Sequence, residues 1–500
     1  SDVCSSDLDP PCLSDLWALS GADMAQDVEL MRRVAFYFGI VNLVAAPFVP
    51  DSIAYAVGGA IPFGLLAIIG QPTMPKGVAF FLLWQWAQTF SRALQSVFDG
   101  ESMANGISGP DVLQAYWYAL SSLLVLALAF RLVLGGIKPP TARDYYAHER
   151  WRAQDLIVVY VGAIAASVFF NIVSRQVGSL EQPLSAAAQV KVVALFLLST
   201  YVFTTGRGAG TLLAAIAIEI LVGFTGFLSD FRAVFIYVAF AAVAARVRWT
   251  FTASMAATAW LALLLLLALF WTSVKVEYRD YVTGETESQQ IRVPLAERMA
   301  YLGDKALNIG DTKWGETSYL LLIRFAYIDV FGQVISVAES APETIPMRQW
   351  KEAFSHVLQP RVLFPDKAAL SDTEVYMRLT RADPTEQIRL GTSISVGYMA
   401  ENYVDLGFPG MLAGIFVIGV MLALVMKYFM TRSLPWMLRE GIVMAFAFSA
   451  GGVGMEMSLP KMLGAMLMFF LVWSLIAKFA LPVVMRWLDQ RAGLPRTTTP

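Results

Sequence analysis

Apolar and polar positions along this chain fall into long blocks, without a strand's alternation or the narrow apolar stripe of a surface helix. Runs rich in Leu, Val, Ala and Phe lie at about 34–49, 53–70, 77–97, 112–135, 156–174, 188–204, 209–227, 233–246, 252–274, 407–427, 440–457 and 462–483. A helix crossing the hydrocarbon core needs about 20 mostly apolar residues, because its backbone polar groups must be satisfied internally. The pattern predicts an all-α polytopic membrane protein with about 12 transmembrane helices. Several runs are short or marked by Gly and Pro, which sets a range of about ten to thirteen. One long polar stretch, 275–405, separates helices 9 and 10. The chain thus divides into an N-terminal segment (1–33), helices 1–9 (34–274), a large loop (275–405), helices 10–12 (406–485) and a tail (486–500).

Lys and Arg in the short loops set the expected orientation. One set of loops carries Arg32, Arg33, Lys76, Lys138, Arg143, Arg150, Arg152, Arg207, Arg246, Arg248, Arg432, Arg439, Arg486 and Arg491. The alternate set carries Asp51, Asp99, Glu101, Asp111, Arg175, Glu181, Asp230, Arg232 and Lys461. This asymmetry puts both termini in the cytoplasm and the large loop outside it. Within the loop, residues 319–338 are apolar enough to suggest a further span. Arg324, Asp329 and Gln333 argue instead for an interfacial or protein-buried helix. Arg324 and Asp329 lie about 140° apart round a helix and need not pair.

Composition agrees with the block pattern. With 57% hydrophobic and 15% charged residues, the chain is too apolar for an ordinary soluble fold. A net charge of -2 gives no reason to expect nucleic acid. His148 and His356 are far apart, and Cys4 and Cys12 form no CxxC pair, so neither a metal site nor a disulfide framework is expected. No cofactor is implied. Residues 1–8, "SDVCSSDL", read like translated sequencing-adapter DNA, which puts the start at Met24 or upstream of a truncation.

A membrane enzyme working outside the cytoplasm has no nucleotide-activated donor and needs a pre-activated, lipid-linked substrate. A lipid pyrophosphate is the natural anionic handle, and arginine suits it through bidentate, permanently charged hydrogen bonds. The loop supplies Arg324, Arg348, Arg361, Arg378, Arg381, Arg389 and Lys367. The competing reading is a solvated surface, with Asp366, Asp372, Glu374, Asp383 and Glu386 as counter-charges. In "PRVLFPDK", Pro360 and Pro365 stiffen the backbone around Arg361 and Lys367. In the turn "FLSDFRAVF", Arg232 either serves the site or snorkels to headgroups. Arg92, Gln85 and Gln88 interrupt the third run and could line a lipid-substrate cleft, while Glu219 reads better as an internal pair between helices.

"PRVLFPDK" followed by "TSISVGYMAENYVDLGFPG" resembles the Wzy-like oligosaccharide repeat-unit polymerases of O-antigen and exopolysaccharide synthesis. That group often shows a Pro-Arg and Pro-Asp-Lys-Pro pattern, then a Glu-x-Tyr-x-x-x-Gly-x-x-Gly entry to the next helix. Here the entry is Glu401, Tyr403, Gly407 and Gly410, and Ala368 replaces the second proline. Arg232 sits where this superfamily shows a Ser-x-Arg-type element, and Arg292 with Gly303 fits an Arg-x10-Gly spacing of little specificity. The motifs cover only about fifty residues, although the topology matches across the chain.

The resemblance implies a metal-independent, inverting glycosyl transfer at the bacterial inner membrane. A sugar hydroxyl on one undecaprenyl-pyrophosphate-linked repeat would attack the anomeric carbon of another chain and expel the lipid pyrophosphate. Arg232 and Arg361 lead the catalytic candidates, with His356 and Asp366 for proton transfer and Glu401 as their rival. Lys367, Arg324, Arg378, Arg381, Arg389, Tyr398, Glu401 and Arg92 are the expected substrate-binding residues. Membrane lipids, a chain-length regulator and a flippase are the implied partners. The alternatives are an O-antigen ligase, a GT-C glycosyltransferase and a transporter or flippase. The GT-C type carries its acidic residues in a large first external loop, here only about "VPDS", and transporters show two related halves, of which no repeat is visible.

Overall fold

The structure is a computed structural model describing residues 21–105, 109, 111–226, 231–284, 291–308, 310, 312–359, 364, 367, 371–383, 394–451 and 454–493. The described residues are helical, with no strand among them. In chain order the longer helices begin with α1 (Gly21–Ala45), α2 (Ser52–Ile69), α3 (Lys76–Asp99), α4 (Asp111–Leu134) and α5 (Ala153–Gln176). They continue with α6 (Glu181–Ala188), α7 (Val190–Thr205), α8 (Ala209–Phe224), α9 (Arg232–Ala244) and α10 (Phe251–Thr283). The polar insert contributes α11 (Leu295–Leu307), α12 (Trp314–Phe325), α13 (Ile328–Ser340), α14 (Arg348–Leu358) and α15 (Asp372–Thr380). The chain closes with α16 (Tyr398–Met430), α17 (Trp436–Gly451), α18 (Leu459–Leu475) and α19 (Leu481–Arg491).

Eight helical stretches are long and apolar enough to cross a membrane, an architecture consistent with a multi-pass membrane protein. They comprise α1, α2, α4, α5, the α6–α7 pair, α10, α16 and the α18–α19 pair. The α12–α13 pair, bent by 49°, makes a ninth if counted as one broken span. The expected count of about twelve therefore divides. Helices α8 and α9 have 16 and 13 residues and α17 has 16, all short for a crossing. The fourth, α3, is long enough but too polar.

Its position explains that polarity. Helix α3 packs against α2, α4, α12 and α17, so protein covers it where lipid would penalise it. Gln85, Gln88, Thr89, Ser91, Arg92 and Ser96 of α3 are all buried. Most find partners: Gln85 accepts from the Tyr398 hydroxyl at 2.6 Å, Gln88 from the Met455 amide at 2.9 Å, and Arg92 pairs with Asp329 at 3.0 Å. Asp329 thus belongs to Arg92 and not to Arg324. Glu219 is held by Lys191 at 2.7 Å and Tyr160 at 2.8 Å, tying α8 to α7 and α5.

The two sets of loop charges collect separately. At one end, Arg439 pairs with Asp144, Arg150 with Asp489 at 3.0 Å and Arg491 with Asp155 at 3.3 Å, while the Lys76 amide donates to Glu440 at 2.9 Å. At the other, Asp51 accepts from Ser102 and Met103 at 2.7 and 2.6 Å, and Lys461 pairs with Asp372 of the insert at 2.5 Å. Helix α10 reaches beyond its apolar part at this insert end. Its 33 residues give a rod about 50 Å long against about 30 Å of hydrocarbon. Lys275 and Arg279 lie in the polar part of this helix, past the apolar run 252–274.

Candidate functional site

Three helix ends converge at the insert end of the bundle. Arg232 is the first residue of α9, Lys275 and Arg279 lie near the C-terminus of α10, and Arg324 is in the last turn of α12. Lys275 is in electrostatic reach of Arg232, Arg279, Arg324 and Glu456. A helix C-terminus attracts cations, so the position of Arg324 in the last turn of α12 is locally favourable, whereas Lys275 and Arg279 precede the last turn of α10. Arg232 is placed unfavourably: a helix N-terminus repels a cation by about 0.3–1 kcal/mol. Its guanidinium lies over the Trp84 ring at 5.4 Å, and Trp84 in turn meets Phe325 edge-on at 5.1 Å. Among the described residues, Arg232, Lys275 and Arg324 form no close ion pair.

Glu456, in electrostatic reach of Arg232 and Lys275, lines a cavity of about 210 Å³ together with Tyr327, Asp372, Ile394, Ser395, Met457 and Lys461; the four cations themselves do not line it. Closed ligand pockets run about 300–1,000 Å³, so this one suits an end of a ligand and not its whole. Asp372 is committed: Lys461 takes one oxygen and the Ser458 hydroxyl donates to the other at 3.0 Å. The buried Tyr327 hydroxyl lies beside the Ser395 backbone. Burial pushes the Glu456 carboxyl up to about 7, against the pull of Arg232 and Lys275.

The segment carrying Glu456 is fastened on both sides. The Met455 amide donates to Gln88 at 2.9 Å, the Tyr398 amide donates to the Met457 carbonyl at 2.8 Å, and the Leu459 amide donates to Glu401 at 2.5 Å. Gly454 and Gly397 both have positive φ (88° and 83°), and a Cβ on either would collide with Gln88 or with the Met455 carbonyl. No other residue fits these two positions without displacing the clamp.

Of the residues expected from sequence, Arg232 and Arg324 meet in the cluster. Glu401 and Tyr398 are fully buried and hold the Glu456 segment. Arg92 is committed to Asp329. Arg378 is not in the cluster: it pairs with Glu343 at 3.0 Å and Glu352 at 3.6 Å, the pair that also binds Arg348. Arg381 is exposed, at the C-terminal cap of α15. Lys367 turns back onto the end of α14, donating to the carbonyls of His356 and, at 2.8 Å, Gln359. Arg361, Asp366 and Arg389 lie outside the described residues.

Sequence reasoning missed Lys275, Arg279 and Glu456. The first two had a signal: like charges four apart on a helix share a face and repel, which an ordinary surface avoids. Glu456 had a weaker one, a carboxylate in the otherwise apolar "GGVGMEMSLP". No curated protein and no solved structure matches this chain. Residues 116–429, which carry Arg232, Lys275, Arg279 and Arg324, match the family model described as "Domain of unknown function (DUF8712)"; they make up more than half of the chain, which belongs to that family.

Proposed function

We propose that this protein joins undecaprenyl-pyrophosphate-linked oligosaccharide repeat units into O-antigen or exopolysaccharide, by inverting glycosyl transfer on the periplasmic face of the bacterial inner membrane. The observation that carries this reading is the gathering of Arg232, Lys275, Arg279 and Arg324 near Glu456, which lines a neighbouring cavity. Arg232, Lys275 and Arg324, none in a close ion pair among the described residues, suit a ligand with several negative charges, and a pyrophosphate leaving group gains charge as the glycosidic bond breaks. Lys275 and Arg279 project just past the apolar length of α10, the depth at which a lipid-linked pyrophosphate lies. The resemblance to the repeat-unit polymerases supports the reaction class, and its Glu401 supports the site indirectly by fixing the Glu456 segment.

The test is genetic and chemical. A strain lacking the chain should accumulate single-repeat lipid intermediates, and the wild-type gene should restore long polymer. Arg232→Ala and Lys275→Ala should each lower the rate by about 10²–10³-fold while still inserting in the membrane. Arg378→Ala, whose side chain is engaged by Glu343 and Glu352, should polymerise within a few fold of wild type. Normal chain length in both cluster variants would sink the leaving-group role. A ligase would share the donor chemistry, so transfer to lipid A core without polymer growth would move the assignment to that reaction.

A further inference from the structure

The cavity holds a second chemical group that leaving-group stabilisation does not use. Glu456 lines it, faces Arg232 from α9 and Lys275 from α10, and shares its walls with Tyr327, Asp372 and Lys461. The other carboxylates nearby are occupied. Asp372 is taken by Lys461 and Ser458, and Glu401 by the Leu459 amide. Among the described residues Glu456 has no hydrogen bond or close ion pair, although the backbone of Met455, Met457 and Leu459 around it is fastened to α3 and α16. A carboxylate on a fixed backbone, beside an open space and with no hydrogen bond or close ion pair among the described residues, is placed as a proton acceptor would be.

We propose that Glu456 is the general base of the reaction, taking the proton from the acceptor sugar hydroxyl as its oxygen attacks the anomeric carbon. This rests on the glycosyl transfer proposed above. The acceptor oxygen–carbon bond forms while the bond from that carbon to the pyrophosphate oxygen breaks. Its electron pair leaves with the pyrophosphate, against Arg232, Lys275, Arg279 and Arg324. The hydroxyl proton passes to the Glu456 carboxylate and reaches solvent once product leaves. Burial already holds this carboxyl near neutrality in the free protein. A bound pyrophosphate offsets the two cations that favour its ionised form, so its affinity for a proton rises when donor is present. The base must be ionised to act, so at limiting donor the rate falls as pH drops through about 7, and at saturating donor the fall begins at higher pH.

The experiment uses the purified full chain in liposomes, fed with the lipid extract of the deletion strain as donor and acceptor. Binding of inorganic pyrophosphate is followed in parallel by calorimetry. Wild type is expected to build polymer, at limiting donor slowing on the acid side of about pH 7. Glu456→Gln should lose about 10²–10⁴-fold in rate and lose the acid limb, with pyrophosphate bound at least as tightly, and Glu456→Asp should recover part of the rate. A Glu456→Gln rate within threefold of wild type, with the same pH profile, overturns the base assignment and leaves the polymerase reading intact. Loss of pyrophosphate binding in Glu456→Gln marks a structural carboxylate and also overturns it. A wild-type protein that binds pyrophosphate but lengthens no lipid-linked repeat overturns the polymerase reading, and the base with it.

Discussion

Arg232 starts a helix at the end where a cation is least welcome, and Glu456 sits half-buried in surroundings where a carboxylate resists ionising. Each choice costs stability, and such costs gather where function requires them. For Glu456 the sign can be worked out. Its carboxyl is raised from 4.5 to about 7 in the folded chain, so between these values the folded protein binds more protons than the unfolded one. Its contribution is therefore fully present below about pH 4.5 and is lost as pH rises through about 7. At 1.36 kcal/mol per pKa unit, the ionised carboxylate destabilises the fold by on the order of 3 kcal/mol. Glu456→Gln should raise the Tm in detergent at pH 8 and flatten its dependence on pH, as read by differential scanning fluorimetry. A lower Tm at pH 8 would mean that the cations need this carboxylate for folding. Among the insert arginines, Arg378 and Arg348 share Glu343 and Glu352, whereas Arg324 has no close counter-ion among the described residues. That difference depends on which carboxylates the fold brings near, and charge counting along the chain does not reveal it.

At the scale of elements, the apolar runs of α1, α2, α4, α5, α10, α16 and α18 could be read directly, because hydrocarbon demands length and low charge together. Helix α3 was visible as an apolar run with polar interruptions, but its central place was not, since burial by protein and exposure to lipid select similar compositions. Residues 319–338 were expected as part of one helix. They form α12 and α13, broken near Ala326 and Tyr327, where neither Gly nor Pro marks a bend. The Glu456 segment was the least readable. Its shape depends on contacts to Gln88 and Glu401, more than fifty residues away in sequence. Its glycines carry a prediction. Gly454→Ala adds a Cβ against Gln88 at φ 88° and should cost about 1–3 kcal/mol. It should also slow polymer formation by moving Glu456. A variant with unchanged Tm and rate would show that the clamp is not needed.

Across the whole molecule, the insert is not a separate domain set on the membrane helices. Helix α13 packs on α4, α14 on α18 and α12 on both α3 and α10, so the polar segment is built into the end of the bundle. The cluster accordingly draws Arg232 and Lys275 from bundle helices, Arg324 from the insert and Glu456 from the short link between α17 and α18. No single stretch of sequence contains the site. Helix α10 has a different standing: its apolar length is almost wholly outward-facing, and Phe251, Met255, Leu261 and Leu266 are exposed. With so little of its apolar length covered by protein, that rod is open to tilting in a bilayer of mismatched thickness. Lys275 and Arg279 ride on its end, so hydrophobic mismatch moves two cations relative to Arg232 on the better-packed α9. Membrane thickness thereby becomes a control variable for the site. In liposomes of graded acyl-chain length, polymer yield should peak at one thickness and fall to either side. Arg232→Ala should lower the whole curve without shifting its peak.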